Sequence, residues 1–178
     1  MLHPQLPEFE GGPLPVVVPV GTDQDPHVRL ARDISKRIKE FKFIQLSSTY
    51  HKFCPGLNGG KMSSSDPTSF ISLTDTPKIA AKKINKYAFS GGQPTLEEHR
   101  KKGGDPNIDV SFQMLLFGFE EDDAKLQQIY DDYKSGKLLS GELKKILIDK
   151  ISVFLEEHQK KRKKAKKVVA QFLKKNKL

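Results

Sequence analysis

"PLPVVVPVGTDQDPHVRLARDISKRIKEFKFIQLSS" (residues 13–48) decides the architecture. Its first nine residues are a β-branched run between prolines and glycine, which predicts a short strand over 16–20 buried on both faces, as in a parallel sheet. Pro15 and Pro19 keep it short, because neither can donate to a ladder. Val28, Ala31, Ile34, Ile38 and Phe41 then recur at three- and four-residue spacing, one apolar face of a helix. Asp25 before Pro26 reads as its N-cap, with proline at the first helical position. "KFIQLSS" (42–48) predicts a second strand. Strand, helix and strand make a parallel βαβ crossover, part of an α/β sheet that two strands cannot complete.

Outward from this unit the pattern changes. Residues 1–12, rich in proline and glycine, read as loop. From residue 76 the chain is helical throughout. Pro77 opens one helix, Thr95 and Glu98 have the spacing of a capping box, and Gly103 and Gly104 end that segment. "DVSFQMLLFGF" predicts a core helix capped by Asp109, and Leu126, Ile129, Tyr130 and Tyr133 share one face before Gly136. A last long helix runs from Ser140 nearly to the end. It is lined first by Leu143, Ile146, Leu147, Ile151, Phe154 and Leu155, then by Val168, Val169, Phe172 and Leu173.

The 178 residues carry a formal charge of +9, which favours polyanionic partners. Cys54 is the only cysteine and the five histidines are scattered, so neither a disulfide framework nor a metal site is expected. No apolar run reaches the roughly 20 residues that span a bilayer, so a cytoplasmic protein without membrane contact is expected. The basic residues crowd into "QKKRKKAKKVVAQFLKKNKL" (159–178), which has no acid. It reads either as a solvated helix face or as a phosphate-tracking surface.

Between the two patterns lies "NGGKMSSSDP" (58–67). Adjacent glycines let backbone N–H groups approach an anion, Lys61 offers a point charge, and three serines add donors. The spacing is not that of a P-loop. By residue chemistry alone, such a loop is more often a surface turn.

"KMSSS" resembles the KMSKS signature of class I aminoacyl-tRNA synthetases, with serine in place of the second lysine. "GGKMSSSDPTSFISLTDTPKIAAKKINKYAFSGG", "EEHRKKGGDPNIDVSF", "DDYKSGKLLSGELKK" and "VPVGTDQDPHVRLARDI" are similar to tryptophanyl-tRNA synthetases of the archaeal and eukaryotic type. The resemblance covers essentially the whole chain. It implies a partial Rossmann-like α/β fold over 1–75, the second part of a class I catalytic domain with the signature loop. An all-α domain of the anticodon-binding type is implied over 76–178.

The implied chemistry is ATP-dependent activation of tryptophan, with ATP and Mg²⁺ as the substrate complex and no tightly bound cofactor, then transfer to tRNA(Trp) by a homodimeric full-length enzyme. The resemblance assigns Lys61 to the ATP phosphates and Met62 to the adenine, with Ser63, Ser64 and Ser65 shaping the loop. It assigns Gly21 and Asp23 to the ribose and Gln24 to the amino acid. Turn and cap chemistry is the alternative for Asp23 and Asp25, and is preferred for Asp25. The family's second signature, a His-x-Gly-His type motif, is absent from these residues. It is expected upstream of Met1 together with most indole-recognising residues. The chain is then a C-terminal part of a synthetase, inactive alone; the alternative is a non-catalytic tRNA- or RNA-binding module.

Overall fold

The structure, a computed structural model, describes residues 1–7 and 13–175, with backbone alone from residue 170 onward. It divides into two compact units, Met1–Phe53 and Cys54–Leu178.

The first unit is built on strand β1 (Val17–Gly21), helix α1 (Asp25–Arg37) and strand β2 (Ser47–His51). The strands pair in parallel from Val17 opposite Ser47 to Gly21 opposite His51, so α1 is the expected crossover. Burial alternates, however. Val16, Val18 and Val20 pack on Val28, Ala31 and Leu46, while Val17 stays 62% exposed. The strand expected to be buried on both faces is covered on one, because α1 lies on one side and β2 is the sole partner strand among the described residues.

Four further expectations are corrected here. Residues 42–46 are not a strand: Gln5, fully buried, takes the place of a ladder partner. Its Oε1 accepts from the Ile44 N–H at 2.8 Å and its Nε2 donates to the Ile44 carbonyl at 2.9 Å. Residues 1–7 are accordingly not plain loop, since His3–Gln5 forms a 3-10 turn that presents this amide; residues 8–12 lie outside the described ones. Asp25 does not cap α1. It is the first helical residue, and its carboxylate accepts from Tyr50 Oη at 2.6 Å and pairs with Arg29 at 2.6 Å. These partners, the Tyr50 hydroxyl foremost, hold its pKa below the ordinary range. Helix α1 ends at Arg37, so Phe41 lies beyond it, and Ile34 and Ile38 are exposed. Arg32 instead reaches inward, donating to the Leu46 carbonyl at 3.0 Å and to Ser48 Oγ at 2.9 Å.

The second unit holds α2 (Pro77–Tyr87), α3 (Leu96–Lys102), α4 (Val110–Met114), α5 (Asp123–Lys134) and α6 (Ser140–Lys175). Two caps, Thr95 and Asp109, fall where the sequence puts them, and Thr76 adds a third. Thr76 accepts from the Ile79 N–H, Thr95 from Glu98, and Asp109 from Ser111 and Phe112. The helix expected over 109–119 is shorter: after Met114 it widens into a π turn over Leu115–Phe119 that contains the non-helical Gly118. Leu143, Leu147, Ile151 and Leu155 of α6 meet Ala80 and Ile84 of α2 and Leu126 and Ile129 of α5 in one core. Phe154, expected to line that face, is 44% exposed, as are Val168 at 43% and Val169 at 46%; Phe172 and Leu173 have no described side chains.

A polar hub lies inside this core. Tyr133, fully buried, donates to Asp109 Oδ2 at 2.8 Å, and its hydroxyl lies 2.9 Å from Ser140 Oγ and 3.3 Å from Ser90 Oγ. Asp109 Oδ2 also accepts from the Gly91 N–H at 2.9 Å. Burial pushes the Tyr133 phenol up to about 12. The buried His99 ring lies 5.2 Å from that of Tyr133, and its Nε2 is 2.9 Å from the Leu138 carbonyl. Gly103, at φ +75°, turns the chain beneath Lys134, whose carbonyl a Cβ would strike.

Candidate functional site

The signature segment belongs to the helical unit. Its stems are joined where the Leu57 N–H donates to the Ser69 carbonyl at 2.8 Å. They are fixed to the core because Leu57 is fully buried and its carbonyl accepts from the Phe89 N–H at 2.7 Å. Within these stems a tight turn closes: the Gly56 N–H donates to the Gly60 carbonyl at 2.8 Å, and the Gly60 N–H to Asn58 Oδ1 at 3.0 Å. Gly59 sits in that turn at φ +81°, a conformation that favours glycine. The turn delivers Lys61 to the surface.

The serine arm is organised from below by Ser69, which is 1% exposed. Its Oγ accepts from the Ser63 N–H at 3.0 Å and lies 3.0 Å and 2.8 Å from the carbonyls of Ser63 and Asp66. Asp66 in turn takes both the N–H and the hydroxyl of Thr68, at 2.9 and 2.6 Å, and these bonds hold its carboxyl below the ordinary range. Ser63 and Ser65 share a hydrogen bond of 2.9 Å, and Ser64 is exposed.

What the loop leaves open is its donors. Lys61 is exposed and takes part in none of the ion pairs among the described residues. The backbone N–H groups of Lys61, Met62, Ser64 and Ser65 find no protein acceptor there either. An ammonium with several free amides around it is a site for anionic oxygen. The Met62 side chain, 39% exposed, lines an apolar cavity of about 390 Å³ with Cys54, Ile71, Phe117 and Phe154. Burial pushes the Cys54 thiol up, away from the reactive thiolate.

Gly21, Asp23 and Gln24 lie in the other unit, at the end of β1 and in a 3-10 turn over Thr22–Gln24. Gln24 Nε2 donates to Asp23 Oδ2 at 3.1 Å, and a Cβ on Gly21 would come within 2.9 Å of Asp23 Oδ1. Glycine there lets the exposed Asp23 carboxylate fold back over the strand end, where parallel sheets open their ligand crevices. Among the described residues no group of three or more His, Cys, Asp or Glu is placed to hold a metal ion, and no helix is long and apolar enough to cross a membrane.

A model of the family described as tRNA synthetases class I (W and Y) matches residues 10–156. The chain belongs to this family. It is 57% identical over 158 residues to the tryptophan–tRNA ligase of Sulfurisphaera tokodaii, covering 88% of this chain and 41% of that protein. It is 50% identical over 174 residues to the tryptophan–tRNA ligase of Methanocaldococcus jannaschii, covering 97% of this chain and 47% of that one. The crystal structure of tryptophanyl-tRNA synthetase from Aeropyrum pernix superposes with a TM-score of 0.89 at 45% identity, over 96% of this chain and 46% of that one. The chain therefore spans less than half the length of these relatives.

Reading the residues did not single out Ser69 or Thr68 in this class I synthetase chain, and took Asp66 only as part of an Asp-Pro turn. A signal was present, because Asp66-Pro67-Thr68 has the spacing of an Asx turn. The bond between Ser69 and Ser63 joins residues six apart and has no such pattern.

Proposed function

We propose that this chain is part of a tryptophan–tRNA ligase, with residues 1–75 the C-terminal part of its Rossmann-like catalytic domain and 76–178 its helical, anticodon-binding-type domain. The observation that carries the reading is Lys61: a lysine outside every ion pair among the described residues, on a loop that is tied to the core and whose own amides are open. Lys61 steadies the ATP phosphates as a carboxylate oxygen of tryptophan bonds to the α-phosphorus, taking the adenylyl group, and the bond to the departing pyrophosphate breaks. A charge placed where negative charge is redistributed lowers the barrier without tightening ground-state binding. Ser63, Ser64 and Ser65 hold the loop's shape, Met62 lies along the adenine, Gly21 and Asp23 meet the ribose, and Gln24 reaches the amino acid. Magnesium arrives with ATP, carried by phosphates and water. The activated tryptophan then passes to its tRNA, in a cytoplasmic, homodimeric enzyme. The names of the close relatives support this assignment.

No His-x-Gly-His tetrapeptide occurs in the 178 residues, so this chain by itself is expected to give no tryptophan-dependent ATP–pyrophosphate exchange. Fusing the upstream half of the Sulfurisphaera relative to it should produce exchange. In that fusion Lys61→Ala should lower kcat by about 10²–10³ with little change in KM. A folded fusion without activity would overturn the proposal, and exchange by the 178 residues alone would overturn the expectation that they are inactive by themselves.

A further inference from the structure

Helix α6 has two halves of different character. Up to Leu155 it is a core helix, with Leu143, Leu147, Ile151 and Leu155 buried. Its last described tie to the body is Gln159, whose Nε2 donates to the Asp75 carbonyl at 2.8 Å and lies 3.3 Å from that of Leu73. Beyond it every residue from 160 to 169 is exposed. That stretch opens with "KKRKKAKK" (160–167), seven basic residues in eight. Among the described residues one ion pair is made there, Lys161 to Glu157 at 2.7 Å. The acid-free run lies past residue 156, where the family match stops.

Two features favour a phosphate backbone over other anionic surfaces. At about 100° per residue, eight consecutive positions go twice round the helix, so the charge is presented on every side. A membrane-bound helix needs an apolar face to bury in the interface, and residues 160–167 have none. The charges are also almost all lysine, which meets phosphate as a point charge and needs no fixed geometry. Like charges packed this densely repel one another, and an RNA backbone relieves that repulsion while releasing its counterions.

We infer that residues 160–167 form an RNA-binding surface separate from the signature loop, which grips phosphates without reading sequence. The choice of RNA as the polyanion rests on the tRNA-ligase reading, and this surface adds how that RNA is held. The test uses the 178-residue chain without ATP or tryptophan, so failure of the exchange assay leaves it unaffected. Binding of a tRNA(Trp) transcript and of an unrelated RNA hairpin is measured over a salt series. One variant has the six lysines of the run and Arg162 changed to Gln, and a second has the same lysines changed to Arg. All seven positions are exposed, so both variants should melt like the parent.

The Gln variant is expected to bind both RNAs at least about tenfold more weakly, with the slope of log K against log salt shallower by about 3–5. The Arg variant should keep the parent slope. Unchanged affinity and slope in the Gln variant would make the run a solvated face and overturn the inference. So would loss of binding to anionic phospholipid vesicles with RNA binding intact.

Discussion

The two compact units are held together in different ways. Among the described residues of Met1–Phe53 three apolar side chains are buried, Val28, Ala31 and Leu46, and directed polar bonds carry much of the rest: Gln5 on Ile44, Arg32 on Leu46 and Ser48, Tyr50 and Arg29 on Asp25. In Cys54–Leu178 one cluster joins α2, α4, α5 and α6 around buried leucines and isoleucines, and its polar hub lies inside that cluster. The difference is between loss of a directed bond, which water can partly replace at a surface, and loss of packing, which nothing replaces.

The largest test of this contrast is Leu147→Ala. Leu147 is fully buried on α6, so truncation should cost the helical unit about 2–5 kcal/mol, read from denaturant melts. Hydrogen exchange should show the loss spread over α2, α4, α5 and α6. Protection lost at α6 alone would mean that the unit is not one cooperative core.

Tyr133→Phe comes next. It leaves the Asp109 carboxylate and Ser140 without their shared hydroxyl, at a cost of about 1–3 kcal/mol. Tyr133 also sets a pH limit. Its folded pKa, about 12, lies above the ordinary value of 10, so the folded state keeps a proton that the unfolded chain gives up. The resulting stability is whole below pH 10 and is lost as pH rises from 10 towards 12. Parent and Tyr133→Phe melts should therefore converge over that window. Parallel curves would mean that the phenol titrates normally.

Gln5→Ala should matter less. Ile44 is partly exposed, so water can take up its amide and carbonyl, and a loss of about 1 kcal/mol confined to the first unit is expected. A fall in the helical unit's midpoint as well would break the separation of the two.

How much of this could be read from residues follows the same divide. In the helical unit, caps and periodicity are local signals, and Pro77, Thr95, Asp109 and Gly103 act where their spacing puts them. The three resemblance segments of this unit meet at Tyr133 through Ser90, Gly91, Asp109 and Ser140, a convergence that no single segment reveals. In the first unit the βαβ order was legible, but the start of β2 was not. It is set by Gln5, thirty-nine residues from Ile44, whose side chain imitates a strand. Exposed Ile34 and Ile38 show the limit of periodicity: it identifies an apolar face without showing what covers it. At the candidate site the signature residues stood out, whereas the bonds that shape their loop are made by Ser69 and Thr68.

The smallest expected effect lies in that loop, and it tests whether directed bonds can shape a site without contributing much to stability. Thr68→Val removes the hydroxyl that Asp66 accepts at 2.6 Å but keeps the backbone donor at 2.9 Å and the β-branched shape. The Asp66 pKa should rise towards 3.8, as followed by carboxyl NMR titration. Because that pKa is depressed in the fold, its contribution is present above 3.8 and lost as pH falls, so any difference in melting between parent and variant should show above 3.8 and fade in acid. At neutral pH the midpoint should fall only slightly, since one side-chain hydrogen bond is lost and the backbone donor remains. The signals of Ser63 and Ser65 should nevertheless shift, since Ser69 ties the Asp66 carbonyl to the serine arm. A serine arm unmoved by the substitution would leave Ser69 as its only organiser.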